Sequence, residues 1–248
     1  VGTGGWRSDF ASACGAAVRV ATGGTTPGND FRRWPGRALV PPATPRYFPR
    51  KERPAPPPEV ELAPGRREPL AAALEATRTL AFLVVRDDEI VYEWGGEGRA
   101  PQEPSQWFSV TKSVLATLVA MAVDEGLLAS LSQPVTGFVP ELSPHGFGRV
   151  TLGHLLDMTS GIDYAENDNP FGEHVLMNYT PEVERQVLGF RLAGEPGARW
   201  DYKSGDTALL SVALRRAIAR RHGPGMTLTA YAQARLWTPL GMEHPGVW

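Results

Sequence analysis

The chain has 248 residues, a formal net charge of −2 and 42% hydrophobic residues. That length holds one large domain or two small ones with enough apolar residues for a core, and so even a charge balance lacks the electrostatic footprint of a nucleic-acid binder. The single cysteine, Cys14, excludes an intramolecular disulfide and argues against a Cys-rich metal site. The five histidines, His145, His154, His174, His222 and His244, show neither HxxxH nor HxH spacing and read as surface or structural residues.

No apolar run reaches the ~18–20 residues of a membrane span. The longest, Val110 to Val123, is interrupted by Thr111, Lys112 and Ser113. The chain opens at Val1 with neither a charged nor an apolar leader region, so the true N-terminus, with any signal peptide or anchor, is expected to lie upstream. Oligomeric state and compartment stay open.

Residues 1–66 form a Pro-rich N-terminal extension, with ten prolines between Pro35 and Pro64. Such a density blocks helix and sheet ladders and favours extended chain. Either Trp34, Tyr47 and Phe48 pin this chain to a folded surface, or it is a disordered linker. Residues 67–248 read as the folded domain. Leu70 to Ala76 is a short helix. Thr79–Arg86 is a buried strand, Asp87-Asp88 a turn, and Glu89–Trp94 a second, alternating strand, which together make an antiparallel hairpin.

A long helix follows Ser109 and closes at Gly126; apolar nearly all round, it is expected in the middle of the domain. Thr151 caps a short helix to Asp157, and Thr159-Ser160-Gly161 breaks it. The polar stretch Asp163 to Phe171, with Asp163, Glu166 and Asp168, reads as a surface or cleft loop whose spacing fits no EF-hand. Further helices are expected over Pro181–Leu188, Asp206–Arg221 and Thr229–Trp237. The basic clusters Arg215-Arg216 and Arg220-Arg221 are a solvated helix face.

Only three of the 25 basic side chains are lysines, Lys51, Lys112 and Lys203. Arginine stays protonated at any working pH, whereas a desolvated lysine can release its proton and act as a base. Lys112 lies three residues after Ser109 at the head of the long helix, so the two side chains share a face. A serine one turn before a lysine is a nucleophile–base arrangement, and the helix start favours a developing anion. Taken alone the pair is also compatible with a helix cap and a surface lysine. A second segment, Tyr202-Lys203-Ser204, follows the Pro196-Gly197 turn and precedes a helix. Tyr202 can pass a proton to a leaving group, and the Ser204 hydroxyl can donate and accept in the same network. Standing alone, this segment reads equally as a capping loop.

Together, in this order, Ser109-x-x-Lys112 and Tyr202-x-Ser204 resemble the serine β-lactamase and penicillin-binding-protein superfamily, in its class C-like branch. Val150-Thr-Leu-Gly-His-Leu-Leu-Asp-Met-Thr-Ser-Gly161, Glu195-Pro-Gly-Ala-Arg-Trp200 and Leu236-Trp-Thr-Pro-Leu-Gly-Met242 extend the likeness over about residues 67 to 248. The Trp-Phe-Ser-Val-Thr-Lys segment and Ser204 look most like the 6-aminohexanoate-dimer hydrolase and esterase relatives.

The resemblance implies an α/β fold: an antiparallel sheet flanked by helices, with a helical subdomain inserted after the hairpin and Ser109 at the base of the cleft. It implies a metal-independent serine hydrolase without cofactor, acting on a small amide or ester through Ser109, Lys112 and Tyr202, with Ser204 in the network. β-Lactams and D-Ala-D-Ala peptides are alternative substrates, and a non-catalytic penicillin-binding sensor is the reading from another class. The superfamily's third motif, Lys-Thr-Gly or His-x-Gly on a strand lining the site, is not recognised before Trp248, so the fold is expected to be C-terminally incomplete, with the hairpin's edge and one apolar face uncovered. No Gly-x-Ser-x-Gly elbow, phosphate loop or GxGxxG after a strand competes with this reading.

Overall fold

The computed structural model describes residues 36–51, 59–96, 103–167, 172–179 and 182–248. They form two compact units, one running from Trp107 to Leu236 and the other made from the chain on either side of it.

In the two-part unit, β1 (Ala38–Leu39) leads into extended chain, followed by the ribbon β2 (Val60–Ala63) and β3 (Arg66–Glu68), the helix α1 (Leu70–Ala76), and the hairpin β4 (Ala81–Arg86) and β5 (Glu89–Gly95). Asp87 and Asp88 both sit at positive φ, 53° and 60°, so the two-residue turn matches the twist of the strands it joins. The register slips between Val84 and Val85, which leaves Val91 as a bulge on β5. Phe82, Val84, Tyr92 and Trp94 on one face pack against Leu70 and Leu74 of α1. Among the described residues the hairpin pairs with no third strand beyond an isolated bridge between Arg50 and Ile90, and Leu83 and Val85 are exposed.

The proline-rich chain from 36 to 51 is held by its backbone rather than by aromatic pins. Arg46 N–H donates to Gly241 O at 2.7 Å, Ile90 N–H to Pro49 O at 2.8 Å and Lys51 N–H to Ile90 O at 3.0 Å. Tyr47 and Phe48 are exposed, contrary to the anchoring role considered for them; Trp34 lies outside the described residues. Extended chain between prolines turns its remaining N–H and C=O groups outward, and these find partners without help from the rings.

The unit from Trp107 to Leu236 is helical: α2 (Val110–Asp124), α3 (Leu152–Leu156), α4 (Glu173–Tyr179), α5 (Val183–Leu188), α6 (Ser204–His222) and α7 (Leu228–Ala232), the last continuing into a π-turn over Gln233–Trp237. The strand β6 (Gly246–Val247) then pairs antiparallel with β1 inside the other unit. Thr151 caps α3 as expected and shares a capping box with His154.

The central helix is not the expected one. The α2 helix buries a single stripe, Leu115, Leu118, Val119 and Ala122, while Val110, Thr111, Ser113, Thr117 and Ala120 face outward. Instead α2, α3, α4, α5 and α7 all pack on α6, whose Leu209, Leu210, Val212, Ala213, Leu214, Ala217 and Ile218 are buried. The apolar count of α2 misleads because its outward residues are mostly small. In α6, Arg215, Arg216 and Arg220 mask a wider buried face.

Candidate active site

The backbone before α2 is strained. Phe108 has φ of +45°, rare for a bulky side chain and characteristic of functional turns. Val110, Thr111 and Lys112 then donate their N–H groups three residues back, to Trp107, Phe108 and Ser109. Ser109 is already in a helical conformation, and its hydroxyl caps nothing. That hydroxyl is therefore free to meet other side chains.

Two of them converge on it. Lys112 Nζ lies 3.1 Å from Ser109 Oγ, and Tyr202 O–H donates to the same oxygen at 2.5 Å. Lys112 Nζ also donates to Ser204 Oγ at 3.0 Å and lies 5.1 Å from the centre of the Tyr202 ring. All four residues singled out in the sequence thus meet at one point. Ser109 is exposed, while Lys112, Tyr202 and Ser204 are half-buried.

The Tyr-x-Ser spacing has a simple cause. Lys203 is extended, with φ −143° and ψ 118°, so its neighbours point to one side and its own side chain to the other. Tyr202 and Ser204 face Lys112. Lys203 turns into the interior, where it donates to Ile162 O and lies 3.4 Å from Asp201 Oδ2.

The Leu-Leu-x-Met-Thr-Ser-Gly and Pro-Gly-x-x-Trp segments hold that extended segment in place. Met158 O accepts from Asp201 N–H at 3.0 Å and Thr159 O from Gly197 N–H at 2.7 Å. Ser160 Oγ donates to the buried Asp206 at 2.5 Å. Gly161 is at φ +75°, and a Cβ there would stand 2.5 Å from Gly194 O, so no other residue fits. Gly205, at the start of α6, lies against Tyr164 in the same way.

Two site residues were not recognised from the sequence. Glu166 binds Ser204 twice, accepting from its N–H and from its hydroxyl, each at 2.7 Å. His174 Nδ1 lies 3.1 Å from Glu166 Oε1, and Asn178 Nδ2 lies 3.2 Å from His174 Nε2. The polar stretch from Asp163 reads in the sequence as a surface or cleft loop, and nothing local marks which of its acids reaches Ser204. His174 lies on α4, a helix the sequence pattern did not disclose, and had been grouped with surface histidines. Burial, with Glu166 nearby, pushes the Tyr164 phenol upward, and burial raises the Glu173 carboxyl. Among the described residues no group of three or more His, Cys, Asp or Glu could hold a metal ion, and no helix is long and apolar enough to cross a membrane.

A Ser-x-x-Lys turn at a helix head, faced by Tyr-x-Ser from extended chain running into a second helix, defines a class, and the sequence falls within it. The chain belongs to the Beta-lactamase family, whose model matches residues 68–248. It is 40% identical over 98 residues to the 6-aminohexanoate-dimer hydrolase of Paenarthrobacter ureafaciens, a stretch covering 40% of this chain and 25% of that protein. It is 28% identical over 187 residues to the esterase EstB of Burkholderia gladioli, covering 66% of this chain and 45% of that protein. A Bacillus anthracis protein that carries the name of a 6-aminohexanoate-dimer hydrolase has the same fold, with a TM-score of 0.73 at 22% identity over 86% of this chain and 58% of that one. The chain therefore spans less than half the length of these curated relatives.

Proposed function

We propose that this chain carries the nucleophile and base of a metal-independent serine hydrolase that cleaves a small amide or ester through an acyl-enzyme. The convergence of Lys112 Nζ and Tyr202 Oη on Ser109 Oγ supports this reading. Ser109 Oγ bonds to the substrate carbonyl carbon while its proton passes to unprotonated Lys112. Tyr202 gives its proton to the departing nitrogen or oxygen as that bond breaks. A water then attacks the acyl-enzyme, returning a proton to Tyr202, and Ser109 recovers its own from Lys112. The Ser109 N–H, one of the groups that a helix start leaves without an intrahelical acceptor, supplies one oxyanion donor.

The hydrolase and esterase names of the relatives support a small amide or ester as substrate. A fluorescent fluorophosphonate, followed by peptide mass spectrometry, tests the nucleophile. The adduct is expected on Ser109 and absent from Ser109→Ala; equal labelling of that variant sinks the proposal. Turnover of p-nitrophenyl esters against nitrocefin separates the ester reading from a β-lactamase.

A further inference from the structure

Ser204 has one hydroxyl proton, and the structure shows where it goes. It points to Glu166 Oε1 at 2.7 Å, so what Ser204 offers Lys112, 3.0 Å away, is a lone pair. Lys112 must donate one N–H in that direction. An unprotonated Lys112 then has its own lone pair left for the Ser109 hydroxyl proton across the 3.1 Å contact. Ser109 in turn accepts from Tyr202. With Lys112 unprotonated, as the proposed function requires, the bonds from Tyr202 through Ser109, Lys112 and Ser204 run one way, toward a carboxylate. Beyond it, the Asn178 amide donates to His174 Nε2, which puts the ring proton on Nδ1, facing Glu166.

We propose that Glu166, oriented by His174, is a positioning residue that acts through Ser204 to fix the direction of this chain and to stabilise the ammonium formed on Lys112 during acyl transfer. The inference rests on the reading of Ser109 and Lys112 as nucleophile and base. As the Ser109 Oγ–carbon bond forms, the hydroxyl proton moves to Lys112 and places a positive charge there. Glu166 keeps its negative charge, breaks no bond and takes no proton. Its relation to Lys112 is that of a triad carboxylate to its histidine, with a serine hydroxyl interposed.

A purely structural role is the competing account, because Glu166 also accepts the Ser204 N–H at the start of α6 and so serves as a remote cap. The two accounts separate at Ser204. Capping runs through the backbone and survives Ser204→Ala; polarisation of Lys112 runs through the hydroxyl and does not.

The experiment is a double-mutant cycle on the burst of p-nitrophenolate from p-nitrophenyl acetate, resolved into an acylation rate constant and an ester dissociation constant. Glu166→Gln is expected to lower the acylation rate constant about 10- to 100-fold with the dissociation constant within about threefold. In the Ser204→Ala background the same change is expected to cost less than about threefold. An equal loss in both backgrounds, or no loss in either, overturns the inference while leaving Ser109 as nucleophile. A burst that persists in Ser109→Ala overturns the nucleophile instead. If Glu166→Gln does not fold, His174→Gln replaces it in the cycle, because it frees the carboxylate without removing it. It is expected to show the same dependence on Ser204, and an equal loss with and without the Ser204 hydroxyl again overturns the inference.

Discussion

Lys112 and Lys203 occupy two regions of the same helical unit, in a chain whose other basic side chains are all arginines save Lys51, and their surroundings are opposite. Lys112 is half-buried among hydroxyls, those of Ser109 and Ser204, with the Tyr202 ring beside it. Lys203 is only 8% exposed and is held by the Ile162 carbonyl and the Asp201 carboxylate, with Asp206 near enough to act on it electrostatically. One position suits a base that must gain and lose a proton. The other suits a compact ammonium that donates to a buried carbonyl and faces a carboxylate. The rarity of lysine in the sequence flags both positions. The alternation of side chains along the extended chain leading from Tyr202 into Ser204 decides which is which.

The largest expected effect breaks this comparison at the active-site end. In the proposed mechanism Lys112→Arg replaces an unprotonated amine by a permanent cation that cannot serve as the base, so acylation of Ser109 should fall by ~10²–10⁴, with the urea midpoint little changed. Lys203→Ala should do the reverse. It removes the buried ammonium that donates to the Ile162 carbonyl and faces Asp201 and should cost about 1–3 kcal/mol of stability by urea unfolding, while the remaining folded protein still labels at Ser109. Equal effects of the two substitutions on acylation would mean that the lysines do not have separate roles.

A smaller effect sharpens the picture where the two regions join. Gly205 lies between the outward Ser204 and the inward Asp206, and a Cβ there would come within 2.8 Å of Tyr164 Cδ2. Tyr164 contacts His174, which contacts Glu166. Gly205→Ala should therefore destabilise by about 1–3 kcal/mol through overpacking and also slow labelling of Ser109. Loss of stability with an unaltered labelling rate would show that the loop carrying Glu166 absorbs the displacement.

Local rules made much of this legible in the sequence. The β4–β5 hairpin follows from alternation and an Asp-Asp turn, the α3 cap from Thr151, and the meeting of Ser109, Lys112, Tyr202 and Ser204 from spacing together with family resemblance. What escaped depends on tertiary placement. Glu166 reaches Ser204 across 38 residues, and no periodicity records such a contact. The α4 helix is seven residues long, too short to give a clear helical pattern. The central position of α6 was hidden because arginines on its outer face dilute the apolar count, whereas the small outward residues of α2 inflate its own.

The interior region also titrates in a way the hydroxyl cluster does not require. Burial pushes the Asp206 carboxyl up from 3.8 to about 7, against the opposing pull of the Ser160 hydroxyl and Lys203. Its Oδ2 has no hydrogen-bond partner, an arrangement that disfavours the charged form. The folded chain therefore binds more protons than the unfolded chain between these two values. Stability must fall as pH rises through that window and level off above about 7. Between pH 6 and pH 7.5 the loss should be about 1 kcal/mol, since one pKa unit is worth ~1.4 kcal/mol. Asp206→Asn cannot titrate and should lose that slope. Urea midpoints of both proteins at the two pH values measure the difference. If the slopes are the same, Lys203 holds Asp206 ionised throughout, and the interior lysine then belongs to a standing ion pair rather than to a pair that opens with pH.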